Sequence, residues 1–318
     1  MRPKILIAEP LDFSPTALKI LQTAGDVELR TCQRGELAAA FGQYDVIWFR
    51  LAHRIDAEMV GPRPRCRILA TPVTGLDHID LAACETRGVR VMSLRGETEF
   101  LKNVRATAEL TIGLTIALLR NIPAADASAR EGHWDRDRFR GRELFGRTVG
   151  IVGMGRLGTL VAGYFRSFGT AVIGYDPRDD FPTDAAKRVV RLDELLAQSD
   201  IVVLLVKFDE TTRHLIGSRE FARMKPGAVL INVTRGGVVD ESALLAALDS
   251  GQLAGAALDV LDGEPAITPD HPVVAYSREH DNVLLTPHIG GNTVESFEKT
   301  ETFLANKVAA AIAAHAAV

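Results

Sequence analysis

Three polar residues stand where apolar runs end. Arg235 follows INVT, Glu264 follows ALDVLDG, and His288 follows NVLLTP. Their chemistries are complementary. A histidine can pass a proton near neutral pH. A neighbouring carboxylate orients the ring and favours its protonated form. An arginine offers a planar fork that grips a carboxylate through charge-assisted bonds. Singly, each has a plainer reading. Arg235 reads as a loop salt bridge, Glu264 as a helix-start charge before Pro265, and His288 as a polar cap after Pro287. Together with a hydride cofactor, the three would supply what reduction of a 2-oxo acid needs: a proton donor, its orienting group and a carboxylate anchor. In the stretch INVTRGGVVDE (231–241), Gly236 and Gly237 would then leave room for backbone close to that cofactor.

The cofactor has its own signature. Gly153-Met154-Gly155-Arg156-Leu157-Gly158 is a G-x-G-x-x-G. Alone it is weak, but a strand pattern, Thr148 to Val152, precedes it. An amphipathic helix pattern follows, with Leu157, Leu160, Val161, Tyr164, Phe165 and Phe168 on one stripe. Gly153 permits a tight turn, Gly155 lets backbone approach a pyrophosphate, and Gly158 lets helix and strand pack closely. Free N–H groups at the helix start face the anion. The next strand pattern finishes in Asp176, 18 residues after Gly158. That carboxylate can accept the adenosine ribose and repel a 2′-phosphate, which favours NAD.

The elements that must position these residues alternate along the chain. KILIAE (4–9), VELRT (27–31), YDVIWF (44–49), CRILAT (66–71) and VRVMS (89–93) are strand patterns, with helices over Pro15–Ala24 and Leu81–Thr86. Ala106 to Pro123 is a helix pattern apolar around most of its circumference, which predicts burial on nearly all sides. Pro123 is expected to end it. Alternation restarts at TVGIVGMG (148–155) and continues through AVIGYD (171–176), DIVVLLV (200–206), AVLINV (228–233), AGAALDV (254–260) and NVLLTP (282–287). An Ala-rich helix pattern from Thr293 onward is the candidate to return to the first domain. The class is α/β, with two parallel-sheet domains. Ligands of such sheets bind beyond the carboxyl ends of strands, so Arg235, Glu264 and His288 can converge.

Bulk properties agree. A length of 318 residues favours two domains, and a net charge of −4 gives no nucleic-acid footprint. The Arg-rich stretch 129–147 interleaves Glu131, Asp135, Asp137 and Glu143, as a solvated face does. Cys32, Cys66 and Cys84 lack metal spacing, so no metal is expected and a reducing cytoplasm fits. MRPKILIAEP leads directly into a strand pattern without a signal-like run, and the longest apolar run, Ile201 to Val206, is too short for a membrane span.

The sequence resembles the D-2-hydroxyacid dehydrogenases, a family that includes D-3-phosphoglycerate dehydrogenases and glyoxylate/hydroxypyruvate reductases. TGLDHID (74–80), NVRATAELTIGLTIALLRNIP (103–123), GIVGMGRLG (150–158), INVTRGGVVDE (231–241), AGAALDVLDGEP (254–265) and LTPHIGGNT (285–293) carry the resemblance. It implies that Arg235 binds the substrate carboxylate, that His288 is the acid/base, and that Glu264 supports it. It implies cofactor contacts from Thr107, Arg156, Leu157, Asp176, Val206, Thr234, Asp259 and Gly290, and a substrate-side lining from Arg50, Thr74 and Gly75. It implies a flavodoxin-like substrate domain (1–98 plus 293–318), a Rossmann NAD domain (99–292), and a homodimer formed around the apolar helix near Thr107. Lys207 departs from the family, which usually has proline there; near a cofactor, a lysine could meet a phosphate or simply face solvent. Serine-type feedback, a property of longer phosphoglycerate enzymes, is not expected. Part of the sequence also resembles corepressors of the C-terminal binding protein type, which leaves a nucleotide-sensing binding protein as the alternative. Oxidation of a donor such as formate fits poorly, because that chemistry has no use for the Glu264–His288 pair.

Overall fold

The alternating apolar runs become two all-parallel sheets. The computed structural model describes residues 2–316, which divide into two units: 2–104 with 292–316, and Arg105–Gly291. In the first unit the chain runs β1 (Lys4–Ile7), α1 (Pro15–Ala24), β2 (Asp26–Leu29), α2 (Arg34–Ala40), β3 (Val46–Trp48), α3 (Ala57–Val60), β4 (Ile68–Ala70), α4 (Leu81–Thr86), β5 (Arg90–Met92) and α5 (Thr98–Leu101). The sheet order is β2-β1-β3-β4-β5, the flavodoxin-like arrangement. β3 and β4 are apolar at every position, and β1 at every position after Lys4, because helices cover both faces. Leu6, Ile47 and Leu69 point into one core, and Ile5, Ile7, Trp48 and Ile68 into the other.

The second unit contains α6 (Ala106–Leu119), α7 (Ile122–Arg130), β6 (Thr148–Val152), α8 (Arg156–Ser167), β7 (Ala171–Tyr175), β8 (Lys187–Arg188), α9 (Leu192–Gln198), β9 (Ile201–Leu204), α10 (Ser218–Arg223), β10 (Ala228–Asn232), α11 (Glu241–Asp249), β11 (Leu253–Leu258), α12 (Pro272–Glu279) and β12 (Val283–Leu285). Its sheet order is β12-β11-β10-β9-β6-β7-β8. The winding reverses between β6 and β9, so the loops after those two strands flank the switch-point crevice where ligands of such sheets bind. The chain then returns to the first unit as α13 (Val294–Ala316). Leu304, Ala305 and Val308 of α13 share a core with Ala17 and Leu21 of α1. Burial of Leu21, Leu304 and Val308 contributes about 1.5–3 kcal/mol each.

Three details differ from the sequence reading. The helix pattern 106–123 is two helices. The α6 helix ends at Leu119, Asn121 turns the chain at φ +52°, and Pro123 lies in the first turn of α7. Proline lacks only an N–H that the first turn does not use, so it starts a helix here rather than ending one. Nor is α6 covered all round by its own unit: Glu109 and Gly113 are exposed, and Ile112 and Ile116 between them are half-buried. Finally, β8 went unread, because a two-residue exposed edge strand has no apolar pattern. No helix among the described residues is long and apolar enough to cross a membrane.

Candidate active site

Arg235, Glu264 and His288 all belong to the second unit and lie beyond the carboxyl ends of three adjacent strands, β10, β11 and β12. The histidine and the carboxylate meet: His288 Nδ1 is 2.9 Å from Glu264 Oε1. Both side chains are about three-quarters buried, at 25% and 24% exposed. Glu264 therefore takes Nδ1 and leaves Nε2 as the ring nitrogen for proton exchange.

His288 is held by backbone and by one buried acid. Its φ is +54°, a left-handed conformation that a side-chain-bearing residue adopts only when its surroundings impose it. The His288 N–H donates to Asp259 O at 2.7 Å. The Asp259 carboxylate, 1% exposed, accepts from Thr286 Oγ1 (2.6 Å), the Ile289 N–H (2.8 Å) and the Gly290 N–H (2.8 Å). Burial pushes the Asp259 carboxyl above its ordinary value despite these donors. Gly290 packs so closely that a β-carbon there would lie 3.0 Å from Asp259 Oδ2 and 3.2 Å from Thr107 Cγ2. Thr107, Asp259 and Gly290 thus form one cluster beneath His288.

Arg235 stands on a polar turn. The buried Asn232 side chain donates to Arg235 O at 2.9 Å and accepts from Thr234 N (3.0 Å) and Thr234 Oγ1 (2.8 Å). Arg235 Nη1 donates to Thr234 O at 2.8 Å. Of the two glycines that follow, Gly236 leaves room for backbone, as expected, and Gly237 for a side chain. A β-carbon on Gly236 would lie 2.0 Å from both Leu261 C and Asp262 N, and one on Gly237 would lie 2.8 Å from Phe208 Cζ. The backbone at Gly236 is that of Leu261 and Asp262. Gly236 is small so that the loop leading to Glu264 can pack against the Arg235 turn.

The same segment fixes that loop again. Asp240 caps α11, accepting from the Ala243 N–H. Glu241 accepts the Asp262 N–H at 2.8 Å and faces His271 Nε2 at 3.3 Å. Burial raises the Glu241 carboxyl. Asn232, Glu241 and His271 were missed in the sequence. Glu241 was the most accessible of them, standing beside a helix cap within the motif already singled out.

The dinucleotide fingerprint has the shape its glycines imply. Gly153 has φ +99°, and a β-carbon there would lie 2.6 Å from Leu205 O and 2.9 Å from Val206 N. One on Gly158 would lie 2.2 Å from Gly153 O. At Gly155 the space is open, the nearest atom being Arg178 Nη2 at 3.8 Å. Arg156 and Leu157 open α8, whose N-cap Gly155 brings no side chain to the helix start, the end of a helix that suits an anion. Asp176, 7% exposed, accepts the Met154 N–H at 2.9 Å and both arms of Arg178. Burial alone would raise the Asp176 carboxyl, but the Arg178 and Met154 bonds outweigh it and hold it below the usual range. These features fit a dinucleotide. Lys207 is 70% exposed and pairs with Asp209 at 3.3 Å.

In the first unit, Thr74 and Gly75 lie in the loop after β4, and Arg50 lies just past β3. Arg50 is already engaged. Nε and Nη2 reach the fully buried Glu301 carboxylate at 2.9 and 2.6 Å, Nη1 donates to Leu11 O at 2.7 Å, and the guanidinium lies over Phe297.

Residues 112–290 match the family model described as the NAD-binding domain of D-isomer specific 2-hydroxyacid dehydrogenases. The chain is 36% identical to a D-3-phosphoglycerate dehydrogenase of Methanocaldococcus jannaschii, over 96% of this chain and 56% of that protein. It thus spans a little over half the length of that relative. It is 33% identical to a hydroxypyruvate reductase of Thermotoga maritima, over 96% of this chain and 97% of that one. Among solved structures, a D-lactate dehydrogenase from Aquifex aeolicus, complexed with NAD and lactic acid, superposes with TM-score 0.85 at 26% identity, covering 98% of this chain and 96% of that one.

Proposed function

The chain belongs to the D-isomer specific 2-hydroxyacid dehydrogenase family, and from that premise we propose that it interconverts a D-2-hydroxy acid and a 2-oxo acid with NAD. The observation that carries the reading is the His288 Nδ1–Glu264 Oε1 contact of 2.9 Å at adjacent strand ends. NAD, when bound, supplies the hydride chemistry. Gly153, Gly155, Arg156, Leu157 and Gly158 would hold its pyrophosphate, Asp176 its ribose, and Val206, Thr234 and the Thr107–Gly290 cluster its remaining length.

In reduction, His288 gives the Nε2 proton to the carbonyl oxygen as that oxygen gains negative charge. Glu264 stabilises the protonated ring and keeps Nε2 facing the substrate. Arg235 grips the substrate carboxylate with its fork and fixes the carbonyl beside it. In oxidation His288 takes the hydroxyl proton back. The balance is one 2-oxo acid, one hydride and one proton to one 2-hydroxy acid. Arg50, Thr74 and Gly75 complete the proposal as the substrate-side group of the first unit. Arg50 would act there through the position Glu301 gives it.

Initial rates on a panel containing glyoxylate, hydroxypyruvate, its 3-phosphate and pyruvate, with NADH, test the proposal. Turnover of at least one, reduced about 10²–10⁴-fold in kcat by His288→Ala, is expected. NADH binding without turnover of any 2-oxo acid would identify a nucleotide-sensing binding protein instead. We also propose a cytoplasmic homodimer. Half-buried Ile112 of α6 lines a surface hollow with Tyr164 and exposed Phe168, an apolar face suited to a second copy. Light scattering at micromolar concentration should give twice the chain mass of 34.5 kDa.

A further inference from the structure

Asp176 stands where the fingerprint needs an acceptor for the adenosine ribose, yet its carboxylate is already full. A carboxylate has about four acceptor positions. Oδ1 accepts the Arg178 N–H at 3.0 Å and Arg178 Nε at 2.9 Å. Oδ2 accepts the Met154 N–H at 2.9 Å and Arg178 Nη2 at 3.0 Å. Two of these four bonds come from backbone: one from the Gly-rich turn itself, the other from the chain just past β7. They cannot leave without unmaking the turns. The other two come from one guanidinium, side by side, one to each oxygen. A ribose diol would need that same pair of positions. Arg178 is the part that can move, being 52% exposed while Asp176 is 7% exposed.

The surroundings keep positive charge near this point when the fork lets go. Arg178 Nη1 lies 3.6 Å from Asp180, and Arg188 Nη2 donates to Arg178 O at 2.8 Å while stacking over Phe181. Arg178 Nη2 is also the nearest atom to the open space at Gly155. An acid at this strand end, taken alone, repels a 2′-phosphate. Here the acid carries its own bidentate counter-ion, within two residues of it in sequence.

We propose that Arg178 sets the cofactor specificity of this chain: its guanidinium competes with the ribose diol of NAD(H) for Asp176 and, once displaced, is the cation that receives the 2′-phosphate of NADP(H). The chain therefore binds both dinucleotides, and one residue acts on the two in opposite directions.

Isothermal titration of the full chain with NADH, NADPH and adenosine 2′-monophosphate tests this without reference to turnover. For Arg178→Ala the NADH Kd should fall roughly two- to five-fold, the scale of a released half-exposed ion pair. The NADPH Kd should rise at least about ten-fold, and adenosine 2′-monophosphate binding should be lost, as expected when a charge-assisted contact to phosphate disappears. Arg178→Lys keeps the charge but not the fork, so it should retain NADPH binding within about three-fold of the parent while sharing the tighter NADH binding. Parallel changes for both dinucleotides, weaker NADH binding in Arg178→Ala, or a parent chain that binds NADH but not NADPH would each overturn the inference. A parent chain that binds neither would overturn it together with the cofactor site itself.

Discussion

Asp259→Asn separates the positioning of His288 from the binding of cofactor. In the parent chain Oδ1 receives Thr286 Oγ1 and the Ile289 N–H, and Oδ2 receives the Gly290 N–H, all within 2.8 Å. An amide has one oxygen. If it takes the Oδ1 side, two bonds survive as neutral bonds and the new NH2 faces the Gly290 N–H, donor against donor. If it takes the other side, two donors lose their acceptor. The less damaging arrangement still loses one hydrogen bond to a charged group, about 1.5–3 kcal/mol. Removing the charge returns part of that, because burial disfavours the Asp259 carboxylate. A net loss of roughly 1–2 kcal/mol follows, a Tm drop of about 2–8 °C for a unit of this size. The 286–290 turn should relax, and with it the left-handed His288 whose N–H is tied to Asp259 O. A misplaced proton donor should lower kcat about 10–100-fold, a larger factor than the rise in NADH Kd through Gly290. Scanning calorimetry, steady-state kinetics and NADH fluorescence titration make the three measurements. An unchanged Tm with parental kcat would refute the positioning argument. A large rise in NADH Kd with kcat preserved would show that Asp259 acts on cofactor instead.

Other substitutions probe the remaining groups. Arg235→Lys keeps a charge but loses the two-pronged grip, so kcat/KM on the best 2-oxo acid should fall by about 1.5–3 kcal/mol; parental kinetics would return Arg235 to a structural role. Arg50→Ala leaves the Glu301 carboxylate, 0% exposed, without its cation, and should destabilise the first unit by about 3–5 kcal/mol in urea unfolding; an unchanged midpoint would contradict that. Asp200 accepts the Thr148 N–H and Lys225 Nζ, and although burial pushes its carboxyl up, these partners hold it below the ordinary value. A depressed folded pKa stabilises above the unfolded value of about 3.9 and is lost as pH falls through the folded one. The Tm deficit of Asp200→Asn should therefore be full at pH 7 and shrink below about pH 4; a deficit that grew on acidification would reverse the sign.

What could be read in the sequence was what parallel sheets write locally. The runs Ile201–Val206 and Ala228–Val233 are apolar at nearly every position because helices bury both faces of β9 and β10, so strand existence was plain even where ends shifted by a residue or two. Strand ends then pointed to Arg235, Glu264 and His288, since the chemistry of an α/β sheet gathers there. Approach between chain-distant backbones leaves no such trace. Gly236 could be read as leaving room for backbone, but nothing around it shows that Leu261 and Asp262 are the backbone pressing on it. The exposed β8 edge and the break between α6 and α7 were hidden for related reasons: one has no apolar period, and the other places its proline where proline does no harm.

Arg178 belongs to a third kind of silence. Asp176 was recognised by its distance from the glycines, and its role was inferred as though the carboxylate were free to act. The sequence shows an arginine two places on but not that its fork closes back onto both oxygens. On an ordinary strand i and i+2 share a face but stand about 6.6 Å apart along it, too far for backbone and fork to close on one carboxylate together. Here the chain turns immediately after Tyr175, where β7 ends, and brings the guanidinium back onto the carboxylate. The acid alone favours NAD; the fork that closes on it is what the spacing did not show. The acid and its fork together present a neutral, bidentate unit, and on the proposed specificity a dinucleotide takes one half of it from the other.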